Sequence, residues 1–303
     1  MRGFIGLTKR NLLIYFKDMG AVVFSLLTSI IVFVLYLVFL KGSYVSEIQS
    51  VMRGLEDFID AKDIDSMVSA ILLVGIIGSA MITVPFSSLQ AIIRDKENKI
   101  DYDISSTPIK RYQIILAYFF AAVISSFLVT GVLLTVGLLV ISGQGGLYMG
   151  VVTIAKSYGI VLLGSVSSTA LFLILALFFK TSGASSAFFG ILSAASGFVI
   201  GAYLPLSQFS ETVQTVCNAF PATQITVLVR NNLLNGILDK INNDLGGIDG
   251  GMFVSEFKSG FNFESVLFGN VLSVENMLLY VFAVLLLSLT VLVWIYSKSY
   301  KRN

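Results

Sequence analysis

The sequence predicts an all-α integral membrane protein: six transmembrane helices, an N-terminal interfacial amphipathic helix, a short cytoplasmic helix, and short outer or re-entrant helices between spans five and six. Three observations predict it. Hydrophobic residues make up 56% of the 303-residue chain and charged residues 13%, against roughly 25% charged in soluble domains. Six charge-free runs, 19–40, 66–93, 112–155, 157–179, 181–210 and 276–297, each reach the ~20 residues that cross ~30 Å of hydrocarbon as a helix. Between the second and third runs, residues 94–111 form a dense patch of both charge signs. Such a patch cannot lie in hydrocarbon and is a short aqueous loop.

Each element follows in order. In residues 1–18, Phe4, Ile5, Leu7, Leu12, Tyr15 and Phe16 cluster on one side of a helix, with Lys9, Arg10 and Lys17 largely opposite. That is the pattern of a helix in the inner headgroup layer. Span one, 19–40, leads to an outer loop where Ile48, Val51, Met52, Leu55, Phe58 and Ile59 repeat at three and four, predicting an acidic amphipathic helix. Span two, 67–93, enters the charged loop, which leads to span three, 112–141. Gly143-Gln144-Gly145-Gly146 is a turn that closes span three. Spans four and five occupy 157–179 and 182–204.

The outer segment 205–275 opens between Pro205 and Pro221 with about 15 residues, too few to span. A helix dipping into the outer leaflet is expected there, with Phe209, Val213, Val216, Cys217 and Phe220 on its inward face. After Pro221, Ile225, Leu228, Val229, Leu233 and Leu234 predict a second short helix. Residues 242–251 are rich in Gly, Asn and Asp but lack the alternation of a Ca²⁺ loop, so they form a flexible turn. Span six covers 276–297. In span five, Ser186, Gly190 and Ala194 form one small-residue stripe and Ser193, Gly197 and Gly201 another, spacings that let helix backbones approach closely.

Lys and Arg orient the bundle. With both termini inside, 13 of the 20 basic residues fall in the termini, the 94–111 loop and Lys180. The outer loop after span one carries Lys41, Arg53 and Lys62 against Glu47, Glu56, Asp57, Asp60, Asp63 and Asp65. The first run is too long for a signal peptide and no small-residue cleavage site follows it. A net charge of +2 says nothing in favour of nucleic acid.

Missing chemistry narrows function. The six spans hold no Asp, Glu, Lys, Arg or His, which argues against ion-coupled transport and intramembrane proteolysis. Cys217 stands alone and there is no His, so Cys/His metal sites are excluded. No Gly-Lys dipeptide exists to build a phosphate-cradling loop. The chain is therefore not expected to be an enzyme.

The charged run, its ending Thr107-Pro108-Ile109-Lys110-Arg111 and the following Tyr112-Gln113-Ile114-Ile115-Leu116 resemble permeases of the ABC transporter type-2 family. A second resemblance lies in Ser196-Gly197, Gly201 through Pro205, Phe220-Pro221-Ala222-Thr223-Gln224 and Arg230-Asn231-Asn232. Where that family often carries Gly-Thr after the charged run, this chain has Lys99-Ile100. With the six-span order, the resemblance covers nearly the whole chain, making residues 1–303 a single type-2 transmembrane domain.

The resemblance implies a permease subunit of a bacterial ABC exporter, multi-pass in the cytoplasmic membrane with both termini cytoplasmic. It implies two partners besides the lipid bilayer: a dimer of ABC ATPase subunits, holding ATP and Mg²⁺, and a second permease protomer, identical or homologous. No cofactor is expected in this chain. The loop 94–111 would be the coupling helix, with Arg94, Asp95, Lys96, Glu97, Asp101, Asp103, Thr107 and Pro108 contacting or capping at the ATPase. Met81, Phe86, Phe189 and Phe198 are candidates for the substrate path, and Gly190, Ala194, Gly197 and Gly201 for helix packing. A charge-free path suits an amphipathic or apolar cargo such as a drug, peptide or lipid. The alternative is a non-transporting scaffold or an immunity protein that binds a toxic peptide.

Overall fold

The computed structural model describes residues 2–35 and 59–299. The amphipathic helix expected around Ile48, Val51, Met52, Leu55 and Phe58 lies outside the described residues. Helix α1 (Arg2–Lys17) is followed, after Asp18, by α2 (Met19–Leu35). Then come α3 (Ala61–Ser88), α4 (Gln90–Glu97), α5 (Ile100–Ser105), α6 (Arg111–Gly143), α7 (Val151–Phe178) and α8 (Ser182–Val199). The outer segment holds a 3₁₀ turn at Leu206–Gln208, α9 (Glu211–Asn218), α10 (Pro221–Asp244), α11 (Met252–Gly260) and strands β1 (Ser265–Leu267) and β2 (Asn270–Leu272). Helix α12 (Val274–Ser299) closes the chain. Among the described residues, five helices are long and apolar enough to cross a membrane. Helix α2 is described over 17 residues, as far as Leu35.

Helix α3 is the axis of the molecule, packed against α2, α6, α7, α8 and α10. With α4 it forms a rod of 36 residues, Lys62–Glu97, about 54 Å at 1.5 Å per residue and so longer than the hydrocarbon is thick. Pro85 deprives the last turn of one N–H, and the rod breaks at Leu89 before α4 resumes. Hydroxyls stitch α3 to α2 where no water can compete: Thr83 donates to the Ser25 carbonyl at 2.7 Å, and Ser87 donates to that of Ala21 at 3.2 Å. At Gly78 a Cβ would stand 2.4 Å from the Thr226 hydroxyl and 2.7 Å from Ile200. Glycine there lets α3, the end of α8 and α10 converge.

The outward surface is apolar. Phe120, Ile124, Leu128, Val132 and Val136 of α6, spaced by four, are exposed, as are Leu279, Phe282 and Leu286 of α12. In a soluble protein such stripes would be buried; here they are the lipid face.

Two expectations for the outer segment are corrected. Helix α10 is not short: it runs 24 residues and is buried along most of its length. After Pro221 no breaker stops it except Gly236, whose missing side chain makes room for the Tyr148 carbonyl. Its first turns sit deep, Ile225 beside Gly164 and Thr226 beside Gly78, so α10 climbs from within the bundle to its far end. Helix α9 has only 8 residues, and Val213 and Val216 are exposed rather than inward. Its inner face carries Cys217 and Asn218, whose amide donates to the Val266 carbonyl at 2.9 Å. At membrane depth the polar face of an amphipathic helix seeks protein and the apolar face can meet lipid.

Candidate functional site

The charged run lies at one end of the α3–α4 rod and divides into two sets. Arg94, Asp95, Lys96 and Glu97, on the last turn of α4, each hold a different neighbour. Asp95 is buried and receives both guanidinium nitrogens of Arg10 at 2.7 Å, together with the Tyr118 hydroxyl. This bidentate pair fastens α1 and α6 to α4. The hydrogen bond to Asp95 raises the Arg10 pKa above its ordinary value. Arg94 pairs with Asp18 at 3.0 Å, and Asp18 also accepts from the Ala21 N–H at 3.0 Å, capping α2. Those two interactions, the Ala21 N–H first, hold the Asp18 carboxyl below the usual range.

Lys96 and Glu97 act on the α7–α8 connection. The Lys96 ammonium donates to the Leu177 carbonyl at 3.0 Å, in the last turn of α7. Glu97 accepts from the Ser182 N–H at 3.0 Å and from the Ser182 hydroxyl, at the first turn of α8. A cation therefore sits at a helix C-terminus and an anion at a helix N-terminus, each where the helix dipole favours it.

The second set is turned outward. Lys99 adopts the left-handed conformation with φ 62°, a backbone that suits glycine better than lysine. It reverses the chain into α5, on which Tyr102 (57% exposed) and Asp103 are exposed and Asp101 is half-buried. Helix α5 ends at Ser105, and exposed Thr107 and Pro108 follow. Ile109 then seats against Gly3 of α1, where a Cβ would stand 2.9 Å away. The α5 hairpin is thus a protruding knob on a braced base.

Of the remaining candidates, the structure brings Phe86 and Phe189 together. Met81 and Phe86 have no exposed surface, and Phe86 lies against Phe172, Phe179, Phe188 and Phe189, the last stacked at 6.0 Å. Phe189 is half-buried and Phe198 is 45% exposed, edge-on to Tyr203. The two small-residue stripes also differ, and Gly201 lies past the end of α8 in a left-handed turn, not on a helix running to residue 204, because the chain reverses there. Gly197 is closed by Tyr203, and Gly201 by Asn262 and Leu206, within the same chain. Gly190 and Ala194 are exposed, and a Cβ at Gly190 would meet nothing.

At the opposite end of the rod stands a second buried carboxylate, Asp63. Lys240 donates to it at 2.6 Å and to Asp244 at 2.6 Å, and the Tyr148 hydroxyl donates to it at 2.8 Å. Below that cluster, Arg230 donates to the Asn262 carbonyl at 2.6 Å, and Asn232 donates to the Thr153 carbonyl at 2.9 Å and to Ser157 at 2.8 Å. The Arg230-Asn231-Asn232 run thus ties α10 to Asn262 and Phe263, just past α11, and to α7.

Sequence reasoning missed Arg10, Asp18, Tyr118 and Ser182 as partners of the charged run. One signal was present: the buried stripe Ala91-Ile92 continues one turn later onto Asp95, marking that acid as inward-facing.

A family model described as "ABC-2 family transporter protein" matches residues 40–296. No curated protein and no solved structure matches.

Proposed function

The chain belongs to the ABC-2 family of transporter proteins, and from that premise we propose that it is the permease subunit of an ATP-driven exporter. A separate ATPase dimer would supply ATP hydrolysis, with ATP and Mg²⁺ bound there and none in this chain. The observation that carries the reading is the division of the charged run into an exposed knob and a braced base. Asp101, Asp103, Thr107 and Pro108 would meet the ATPase. Arg94, Asp95, Lys96 and Glu97 would pass its movement to α1, α6, α7 and α8, because each already grips one of them or the turn beside it. On this reading α1 and α5 would lie on the cytoplasmic face, with both termini inside.

A second permease protomer would meet the open Ser186, Gly190 and Ala194 stripe of α8, which is exposed among the described residues. Phe198 and the open edge of Phe189 would then face the path between protomers. Met81 and Phe86 would join it only if α8 swung away from α3. An amphipathic or apolar cargo, a drug, peptide or lipid, fits that wall. Membership of a transporter family does not favour the scaffold or immunity reading.

Single cysteines at Asp103 and Asn243, in a Cys217→Ser background, test the arrangement. Asp103→Cys is expected to cross-link to the co-expressed ATPase and to resist membrane-impermeant maleimide in intact cells, whereas Asn243→Cys should label. Labelling of Asp103→Cys from outside would overturn the proposal.

A further inference from the structure

A cleft of about 530 Å³ opens between α7, α10 and α12 at the end of the bundle away from α1, within the ~300–1,000 Å³ range of ligand pockets. Two of its walls, α7 and α10, change from polar to apolar in the same direction, and the third, α12, is apolar at Val274 and Leu278. Lys156 and Asn235 stand at the top, while Ile160, Leu163, Leu228 and Leu278 lie below. Lys156 is about 30 Å along α7 from Leu177, at 1.5 Å per residue, which is one hydrocarbon thickness. The Leu177 carbonyl is where Lys96 marks the other end of the bundle. The polar end of the cleft is therefore at headgroup level and its apolar part reaches toward the acyl chains. The neighbouring Leu162, Leu279 and Phe282 are exposed, so the cleft opens in a lipid-facing surface.

Apolar walls alone select nothing in a bilayer, since lipid tails are as apolar as leucine. Selection comes from the polar end. Lys156 forms no ion pair among the described residues. The Asn235 Oδ1 is buried and has no hydrogen-bond partner among them. The amide nitrogens of the adjacent Asn231 and Asn232 are occupied by the carbonyls of Phe263 and Thr153, which fixes the orientation of both side chains. The cleft thus offers one cation and one acceptor still in want of a donor, above a greasy slot.

We propose that this cleft holds one anionic phospholipid with a hydroxyl-bearing headgroup, of the phosphatidylglycerol kind. Its phosphodiester would meet Lys156, a headgroup hydroxyl would donate to Asn235, and an acyl chain would lie against Ile160, Leu163 and Leu278. Phosphatidylcholine carries the same phosphodiester, but its headgroup has no N–H or O–H to give Asn235, and its quaternary cation offsets the phosphate charge and opposes Lys156.

The full chain in nanodiscs of equal phosphatidylglycerol and phosphatidylcholine tests this, with native mass spectrometry of the released protein. The wild type is expected to retain one phosphatidylglycerol per chain in excess over phosphatidylcholine. Lys156→Ala, an exposed position, should cut that retention about fivefold, the factor one lysine near a lipid surface contributes. Gly159→Phe should abolish it by filling the slot, since a Cβ there meets nothing within 4 Å, while thermal unfolding stays unchanged. Equal retention of both lipids by the wild type would overturn the proposal. So would undiminished phosphatidylglycerol in either variant.

Discussion

Asp95 and Asp63 are the two buried carboxylates among the described residues, one near each end of the α3–α4 rod, and both are held by a cation and a tyrosine hydroxyl. Their cations differ in kind. At Asp95 a guanidinium engages both oxygens, a planar fork that fixes distance and angle together. At Asp63 an ammonium is shared with Asp244 at equal distances, a point charge that can lean either way. Their settings differ too. Arg10 comes from α1, an amphipathic helix at the edge, and Tyr118 from α6, so the Asp95 joint ties peripheral elements to the rod. Lys240 and Tyr148 come from α10 and the α6–α7 connection, which the packing of α10 already locates. One end is a rigid joint and the other a swivel. That contrast suits a molecule driven from the α4 end and opening at the other.

The largest effect should come from breaking the rigid joint on the side that strands its acid. Arg10→Met leaves Asp95 charged and 4% exposed, and loss of one partner of a buried pair costs about 3–5 kcal/mol. Thermal unfolding in detergent should show that drop, and Arg10→Met with Asp95→Leu should recover most of it. Equal damage from single and double variants would mean that the pair is not a unit. Lys240→Met should cost less, about 1–3 kcal/mol, because it removes one ammonium contact from Asp63 where Arg10→Met removes two guanidinium contacts from Asp95. A drop equal to that of Arg10→Met would erase the distinction between joint and swivel.

Gly236→Ala sharpens the comparison at the far end. Its Cβ would stand 2.1 Å from the Tyr148 carbonyl oxygen, backbone that cannot rotate away, and overpacking of this kind costs about 1–3 kcal/mol. Increased hydrogen exchange should be confined to the α6–α7 connection and the end of α10. Spread of that exchange to α4 would show the two ends to be one cooperative unit.

The smallest effect is a pH dependence. Asp18 has a lowered folded pKa, so its contribution is present above the unfolded value of about 4 and is lost as pH falls through the folded one. The exposed Arg94 pair contributes about 0–1 kcal/mol. The wild type should lose about that much stability relative to Asp18→Asn as the pH falls below about 4. Parallel unfolding curves for the two proteins would remove Asp18 from the account.

Five long apolar helices among the described residues were legible because hydropathy alone marks them out. The faces of short amphipathic helices were not, since lipid and protein compete for the apolar side, and Val213 and Val216 are exposed rather than packed inward. Helix α11 was legible and unread: Phe253, Phe257 and Phe261 repeat at four, and all three are buried. At the candidate site the sequence displayed the charges but hid their partners. Arg10 and Asp95 are 85 residues apart, and no local pattern encodes a pairing that only tertiary packing creates. Lys99 lay in between: the charge was visible, but the positive φ it adopts, a backbone that suits glycine better, was not.

The division between braced base and exposed knob is tested most directly by one double variant, Tyr102→Ala with Asp103→Arg. Both side chains are exposed and neither belongs to the Arg10–Asp95 joint. Co-purification of the ATPase and ATP-dependent transport in proteoliposomes would be measured beside thermal unfolding. The account predicts loss of ATPase association and transport, with an unfolding midpoint indistinguishable from that of the wild type. Full ATPase association and transport in this variant would contradict it.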